Sequence, residues 1–166
     1  MAEKSGIKTI ADVEFYITIQ DSETWETIDR SELIKLESSE IGYEQQVDDS
    51  GEVIFDSNGI KIVNKGLKHD SFWDGLLVFY IENNNNQPIT VYAENVSVNG
   101  FMEDVSMWSD LRANTRMVDG MHLLDLSDLE LESIDEIKEV EFNLRIVNGQ
   151  NWNDIAKTDT ITLQFE

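Results

Sequence analysis

The sequence predicts an all-β protein built as an antiparallel sandwich, and three observations carry that expectation. Apolar and polar residues alternate with a period of two along several short segments, Asn-Gly pairs punctuate the chain, and its opening stretch returns in register near its end. One dry face and one wet face belong to half-buried antiparallel strands. Asn-Gly supplies the positive φ angles that tight hairpins require.

Taken in order, Val13, Phe15, Ile17 and Ile19 point one way, with Glu14, Tyr16, Thr18 and Gln20 opposite them. Asp21 to Ser31 is too long for a tight hairpin, and Trp25 and Ile28, three apart, are expected to cap the core from a short helical turn. Val53–Phe55 and Ile60–Val63 read as strands broken by Asp56-Ser57-Asn58-Gly59. Leu76–Ile81 is apolar on both faces and belongs in the centre of a sheet, and Asn83–Gln87 is a polar loop closed by Pro88. In Ile89–Val98 the apolar parity switches from Ile89, Val91 and Ala93 to Val96 and Val98, which predicts a bulge near Glu94. Asn99-Gly100 makes a turn, Met121–Leu126 a strand, and Ser127–Ile134 a short helical turn with Ser127 as N-cap and Glu130 three residues on. Val140, Phe142, Leu144 and Ile146 alternate with Glu141, Asn143 and Arg145, and Ile161, Leu163 and Phe165 close the pattern. About seven short strands with Asn-Gly at 58–59, 99–100 and 148–149 give an immunoglobulin-like sandwich by pattern, although no cysteine pair or tyrosine corner is evident.

Ile7–Leu36 aligns without a gap on Ile134–Leu163, 127 residues later, with 10 of 30 positions identical. These are Ile7, Ile10, Val13, Glu14, Phe15, Ile19, Trp25, Ile28, Ile34 and Leu36, and nine of the ten are apolar, so a buried framework is repeated. A complete copy, Glu52–Gln164, together with the polar, acidic stretch Ser38–Gly51 spans the same 127 residues. The expected organisation is therefore residues 1–37 as the last two strands of a preceding repeat, 38–51 as an acidic linker, and 52–166 as a complete sandwich. A duplicated strand pair inside one larger sandwich is the alternative. Leaving the apolar side of the N-terminal strands in water forgoes roughly 1.5–3 kcal/mol per side chain. The tail is thus expected to dock, either on its own chain's sandwich or on the same tail of a second chain as a homodimer.

Composition bounds function. The chain has 166 residues, 34 acidic against 12 basic, a formal charge of −22, and no cysteine. That charge opposes docking to nucleic-acid phosphates and anionic lipid heads. The longest apolar candidate, Leu76–Ile81, has six residues, far short of the roughly 18 of a membrane span. Disulfides, thiolate metal sites and cysteine nucleophiles are excluded together. The polar opening Met1–Gly6 lacks the apolar core of a secretory signal, so the stretch read literally is cytoplasmic, whereas the repeat implies that Met1 is not the natural start.

Gly75–Asn84, Ile89–Gly100, Asp128-Leu129, Ile134–Ile137 and Val140–Phe142 together resemble the immunoglobulin-like repeats of uncharacterised lipoproteins and cell-surface proteins of Gram-positive, gut-type anaerobes. The resemblance covers roughly Glu52–Phe165 and rests on core and turn residues. It implies an extracellular or cell-surface location and a non-catalytic role, and it transfers no catalytic residue.

The chemistry-bearing residues are sparse. His69 and His122 stand far apart with no metal-ligand spacing, no Gly-x-Ser-x-Gly elbow or phosphate-binding glycine loop is present, and no cofactor is expected. Asp21–Asp56 holds twelve acids against Arg30 and Lys35, and Asp125–Glu141 eight against Lys138, a solvated surface first and a weak calcium candidate second. Trp25 and Trp152 are expected to pack in the core. Trp73 and Trp108 sit in polar contexts, and Phe101, Met102, Met107 and Trp108 are expected to form one apolar contact patch. The functional expectation is a non-catalytic binding or spacer module with a protein or glycan partner. The alternative is a carbohydrate-binding accessory module that stacks sugars on Trp73 and Trp108.

Overall fold

The computed structural model describes residues 7–69, 75–105, 107–123 and 130–166. The chain divides into two compact units, one ending at Asp48 and the other running from Asp49 to Glu166.

Among its described residues the first unit holds four short strands, β1 (Asp12–Phe15), β2 (Thr18–Gln20), β3 (Thr27–Arg30) and β4 (Ile34–Glu37). β1 pairs with β4 and β2 with β3, both antiparallel. The helical turn expected around Trp25 and Ile28 is reduced to a single turn that stops short of Ile28. Asp21 caps it, its Oδ1 accepting the Glu23 and Thr24 amides at 2.9 and 2.8 Å and its carbonyl accepting the Trp25 amide at 3.0 Å, and Ile28 lies in β3. The left-handed Trp25, at φ 61°, ends the turn.

In the second unit the strands are β5 (Glu52–Ser57), β6 (Ile60–His69), β7 (Gly75–Asn83), β8 (Ile89–Val98), β9 (Phe101–Met102), β10 (Trp108–Leu111), β11 (Thr115–Leu123), β12 (Glu139–Asn148), β13 (Asp154–Lys157) and β14 (Ile161–Gln164). They form two antiparallel sheets. One runs β11-β7-β6-β5. The other runs β10-β8-β12-β13, with β14 sharing the β13 side of β12 and β9 pairing with β8. The chain crosses between sheets after β7, after β10 and after β11. The protein is all-β, and the second unit is a sandwich whose inner faces meet.

Ile60 and Ile62 of β6, Leu77, Phe79 and Ile81 of β7, and Met121 and Leu123 of β11 face Val91, Val98, Val140, Phe142, Leu144 and Ile146 of the other sheet in one buried cluster. Each such side chain contributes roughly 1.5–3 kcal/mol by leaving water. β7, apolar on both faces, is central as expected, flanked by β6 and β11.

Local chemistry sets the corners. Asn58 and Gly59, at φ 53° and 71°, turn β5 into β6, and Asn99 and Gly100, at 51° and 84°, turn β8 into β9. These angles suit a two-residue hairpin. The buried Asn83 side chain donates to the Gln87 and Arg112 carbonyls at 3.0 and 2.9 Å and accepts the Asn85 amide, which satisfies it at the crossover. The bulge expected near Glu94 falls one residue on. Register slips opposite Glu141/Asn143, with Asn95 at φ 54°.

Three expectations need correction. Asn148-Gly149 is not a two-residue turn, because Asn148 instead opens a loop that closes at Asn153. The helical turn comes later than expected, as a 3₁₀ turn at Ile134–Glu136. Its expected cap Ser127, like Leu124–Leu126 of the expected strand, lies outside the described residues, and the strand begins earlier, at Thr115. β10, Trp-Ser-Asp-Leu, buries a serine and exposes a tryptophan, so its alternation carries no strand signal. Among the described residues, no helix is long and apolar enough to cross a membrane.

Candidate functional site

The outer face of the β10-β8-β12-β13 sheet carries a row of side chains set by register alone. Tyr92 of β8 lies opposite Trp108 of β10 on one side and Arg145 of β12 on the other, and Arg145 lies opposite Lys157 of β13. Directly opposed residues share a face. Because Val91 on the same strand is buried in the core, Tyr92 points outward, and the whole row follows it.

Trp152 joins this row from the loop after β12. The Asn148 side chain accepts the amides of Gln150 and Asn151 at 2.8 and 3.2 Å, and the Asn148 carbonyl accepts the Trp152 amide at 2.9 Å. This winding leaves Trp152 at φ 62°. The three rings then form one cluster. Trp108 meets Tyr92 edge to face at 5.0 Å and Trp152 edge to face at 5.7 Å, and Tyr92 and Trp152 lie tilted at 6.4 Å. Trp108 and Trp152 keep 58% and 51% of their surface exposed.

Charges fix the other half of the row. Arg145 Nε donates to Asp154 Oδ1 at 2.7 Å, and Lys157 Nζ donates to Glu94 Oε2 at 2.6 Å, while Glu94 Oε1 lies 3.7 Å from Arg145 Nη1. Asp154 pushes the Arg145 pKa up, chiefly through that hydrogen bond. Burial, and then the Asp110 carboxylate, pushes the Tyr92 phenol up. Asp110 accepts from Thr90 Oγ1 at 2.6 Å. The face thus offers aromatic edges beside two ion-paired cations and three carboxylates, an arrangement suited to holding a ligand. Among the described residues no group of three or more His, Asp or Glu side chains comes together to hold a metal ion.

Of the expected patch, Trp108 is exposed and central to this cluster. Trp73 lies outside the described residues. Phe101 is exposed but sits opposite Val98, at the far end of β8 from Trp108, roughly 20 Å along the strand. Met107 is 5% exposed and belongs to the core. It continues the inward phase of Ser109 and Leu111, whereas Trp108 and Asp110 point out, so Met107 and Trp108 cannot share a patch. Trp25 and Trp152, expected in the core, are both exposed. Both take a left-handed backbone, at φ 61° and 62°, at the end of a turn wound on Asp21 or Asn148. The signal for this was present in the sequence as an Asp or Asn four residues before each tryptophan. No protein-family model, curated protein or solved structure matches the chain.

Proposed function

We propose that the chain is a non-catalytic binding module of a secreted or surface-anchored bacterial protein, built on an immunoglobulin-like sandwich and holding its partner on the Tyr92–Trp108–Trp152 face. The carrying observation is that cluster: two tryptophans half open to water, fixed by ring contacts and by a wound loop, beside an ion-paired arginine. Trp, Tyr and Arg are the residue types that dominate protein-contact energetics, and rigid rings lose little entropy when they bind.

Strand pairing supports the immunoglobulin-like part. β7 pairs with β11 in one sheet and β8 with β12 in the other, with β10 beyond β8 and β13 and β14 beyond β12. That matches the B–E and C′–C–F–G neighbours of such domains. The surface location rests on the resemblance of the core and turn residues to cell-surface repeats.

A glycan partner is the second reading, favoured by the carboxylates of Asp110, Glu94 and Asp154 around the rings, which accept hydroxyl hydrogen bonds while ring faces cover the apolar side of a sugar. The test is the double variant Trp108→Ala/Trp152→Ala on a panel of immobilised extracellular proteins and glycans. The expected outcome is a loss of at least about 30-fold in affinity for the bound member, as for a contact hot spot, with an unchanged unfolding midpoint. Equal binding by both proteins would move the contact off this face, and no binding to any member would reduce the module to a spacer.

A further inference from the structure

We infer that the unit ending at Asp48 is the closing third of a second sandwich of the same design, and that its open face seats the front part of that sandwich, carried ahead of Ile7 on the same polypeptide. This rests on the chain's first unit and is independent of the aromatic face.

The repeat seen in sequence holds bond by bond. Asp12, Val13, Glu14 and Phe15 pair with Glu37, Leu36, Lys35 and Ile34, as Glu139, Val140, Glu141 and Phe142 pair with Gln164, Leu163, Thr162 and Ile161. The register slip between Ile19 and Gln20 recurs between Ile146 and Val147. The Trp25 amide donates to the Asp21 carbonyl at 3.0 Å, and the Trp152 amide to the Asn148 carbonyl at 2.9 Å, with φ 61° and 62° at the two tryptophans. The Ser31 hydroxyl accepts the Ile17 amide at 2.9 Å, and the Thr158 hydroxyl accepts the Leu144 amide at 2.9 Å.

What differs is the company each copy keeps. Val140, Phe142, Leu144 and Ile146 are 0% exposed, whereas their counterparts Val13, Phe15, Ile17 and Ile19 are between 37% and 54% exposed. β12 runs unbroken because β8 bridges it at Asn143 and Leu144, where neither β13 nor β14 reaches. At the matching Tyr16 and Ile17 the first unit's strand breaks into β1 and β2, whose other edge has no strand partner among the described residues. The missing neighbours are therefore a β8-type strand along that edge and an apolar sheet over the dry face.

The source follows from how far the repeat extends. It begins before the strands, at Ile7 and Ile10, which match Ile134 and Ile137 on the connection from β11 to β12. Ile137 is buried in the core there, and Ile134 packs against it, while Ile10 is exposed. A segment that keeps these anchors is built to follow a β11-type strand in the same chain, and a partner molecule has no use for them.

The experiment compares the full chain with a chain in which Asp49–Ser133 is copied ahead of Ile7, by sedimentation and hydrogen exchange. The full chain is expected to sediment as a monomer with fast exchange at Val13, Ile17 and Ile19. The extended chain is expected to slow those amides at least 100-fold, and Phe15→Asp in that chain should cancel the effect while Asp49–Glu166 keeps its protection. A full chain that is already dimeric with those amides protected would assign the face to a second copy and overturn the inference. An extended chain whose amides exchange as before would overturn it as well.

Discussion

Phe79 of β7 and Phe142 of β12 meet edge to face across the sandwich, ring centroids 5.8 Å apart and planes at 60°, both sealed from solvent. In a chain without cysteine, this contact and the aliphatic cluster around it tie sheet to sheet. Phe142→Ala is expected to destabilise the second unit by about 3–5 kcal/mol through lost burial and the cavity left behind. Urea unfolding of Phe79→Ala, Phe142→Ala and the double variant should give a coupling of about 0.5–1.5 kcal/mol between the rings. Strict additivity would mean that the rings merely fill space.

Asn99 does two jobs that can be separated. It adopts φ 51° in the β8–β9 turn, and its side chain accepts the Lys138 and Glu139 amides at 2.8 and 3.2 Å while donating to the Glu136 carbonyl at 3.0 Å. Asn99→Gly keeps the backbone freedom and loses those bonds, for an expected cost of about 1–3 kcal/mol. Asn99→Ala should cost about 1 kcal/mol more, from the left-handed backbone. Equal stability of the two variants would show that backbone conformation contributes nothing here.

Asp21 carries a pH dependence that its counterpart Asn148 cannot. The Thr24 and Glu23 amides hold the Asp21 carboxylate below its ordinary value of 3.8. A carboxyl lowered on folding stabilises above its unfolded pKa, and that contribution is lost as pH falls through the folded one. The loop in the first unit should therefore loosen only in strong acid, seen as a shift of the Thr24 amide resonance. Asp21→Asn should flatten that titration, and a titration that persists in this variant would point to another group.

Tyr92 should ionise late. With its phenol raised by burial and then by Asp110, the unfolded chain loses this proton first, so the contribution to stability is intact below pH 10.0 and declines as pH rises towards the folded value. Trp152→Ala opens the ring to water and should bring phenolate absorbance back towards that of free tyrosine. An unchanged curve would remove Trp152 from the shielding.

Much of the fold was legible because it is local. The parity of Val140, Phe142, Leu144 and Ile146 reports a half-buried strand whatever lies next to it, and the parity switch in Ile89–Val98 placed the bulge within one residue. The candidate site was barely legible. Trp108 stood out by its polar neighbours, yet Met107 beside it goes into the core because β10, a strand with no strong signal of its own, fixes its phase. Trp152 reads as inward because it repeats with the core residues, whereas the turn that carries it repeats as well and holds it at φ 62° on the outside.

The all-β class, the strand faces and the hairpin corners at Asn58-Gly59 and Asn99-Gly100 could be read from the amino-acid order alone. All of these depend on residues within a few positions of one another. Tertiary structure decided that Trp108, Tyr92, Arg145 and Lys157 stand in one row with Trp152 folded beside them. Those neighbours come from four strands whose register is set by long-range closure of the core, and no local periodicity encodes which strand will lie next to which.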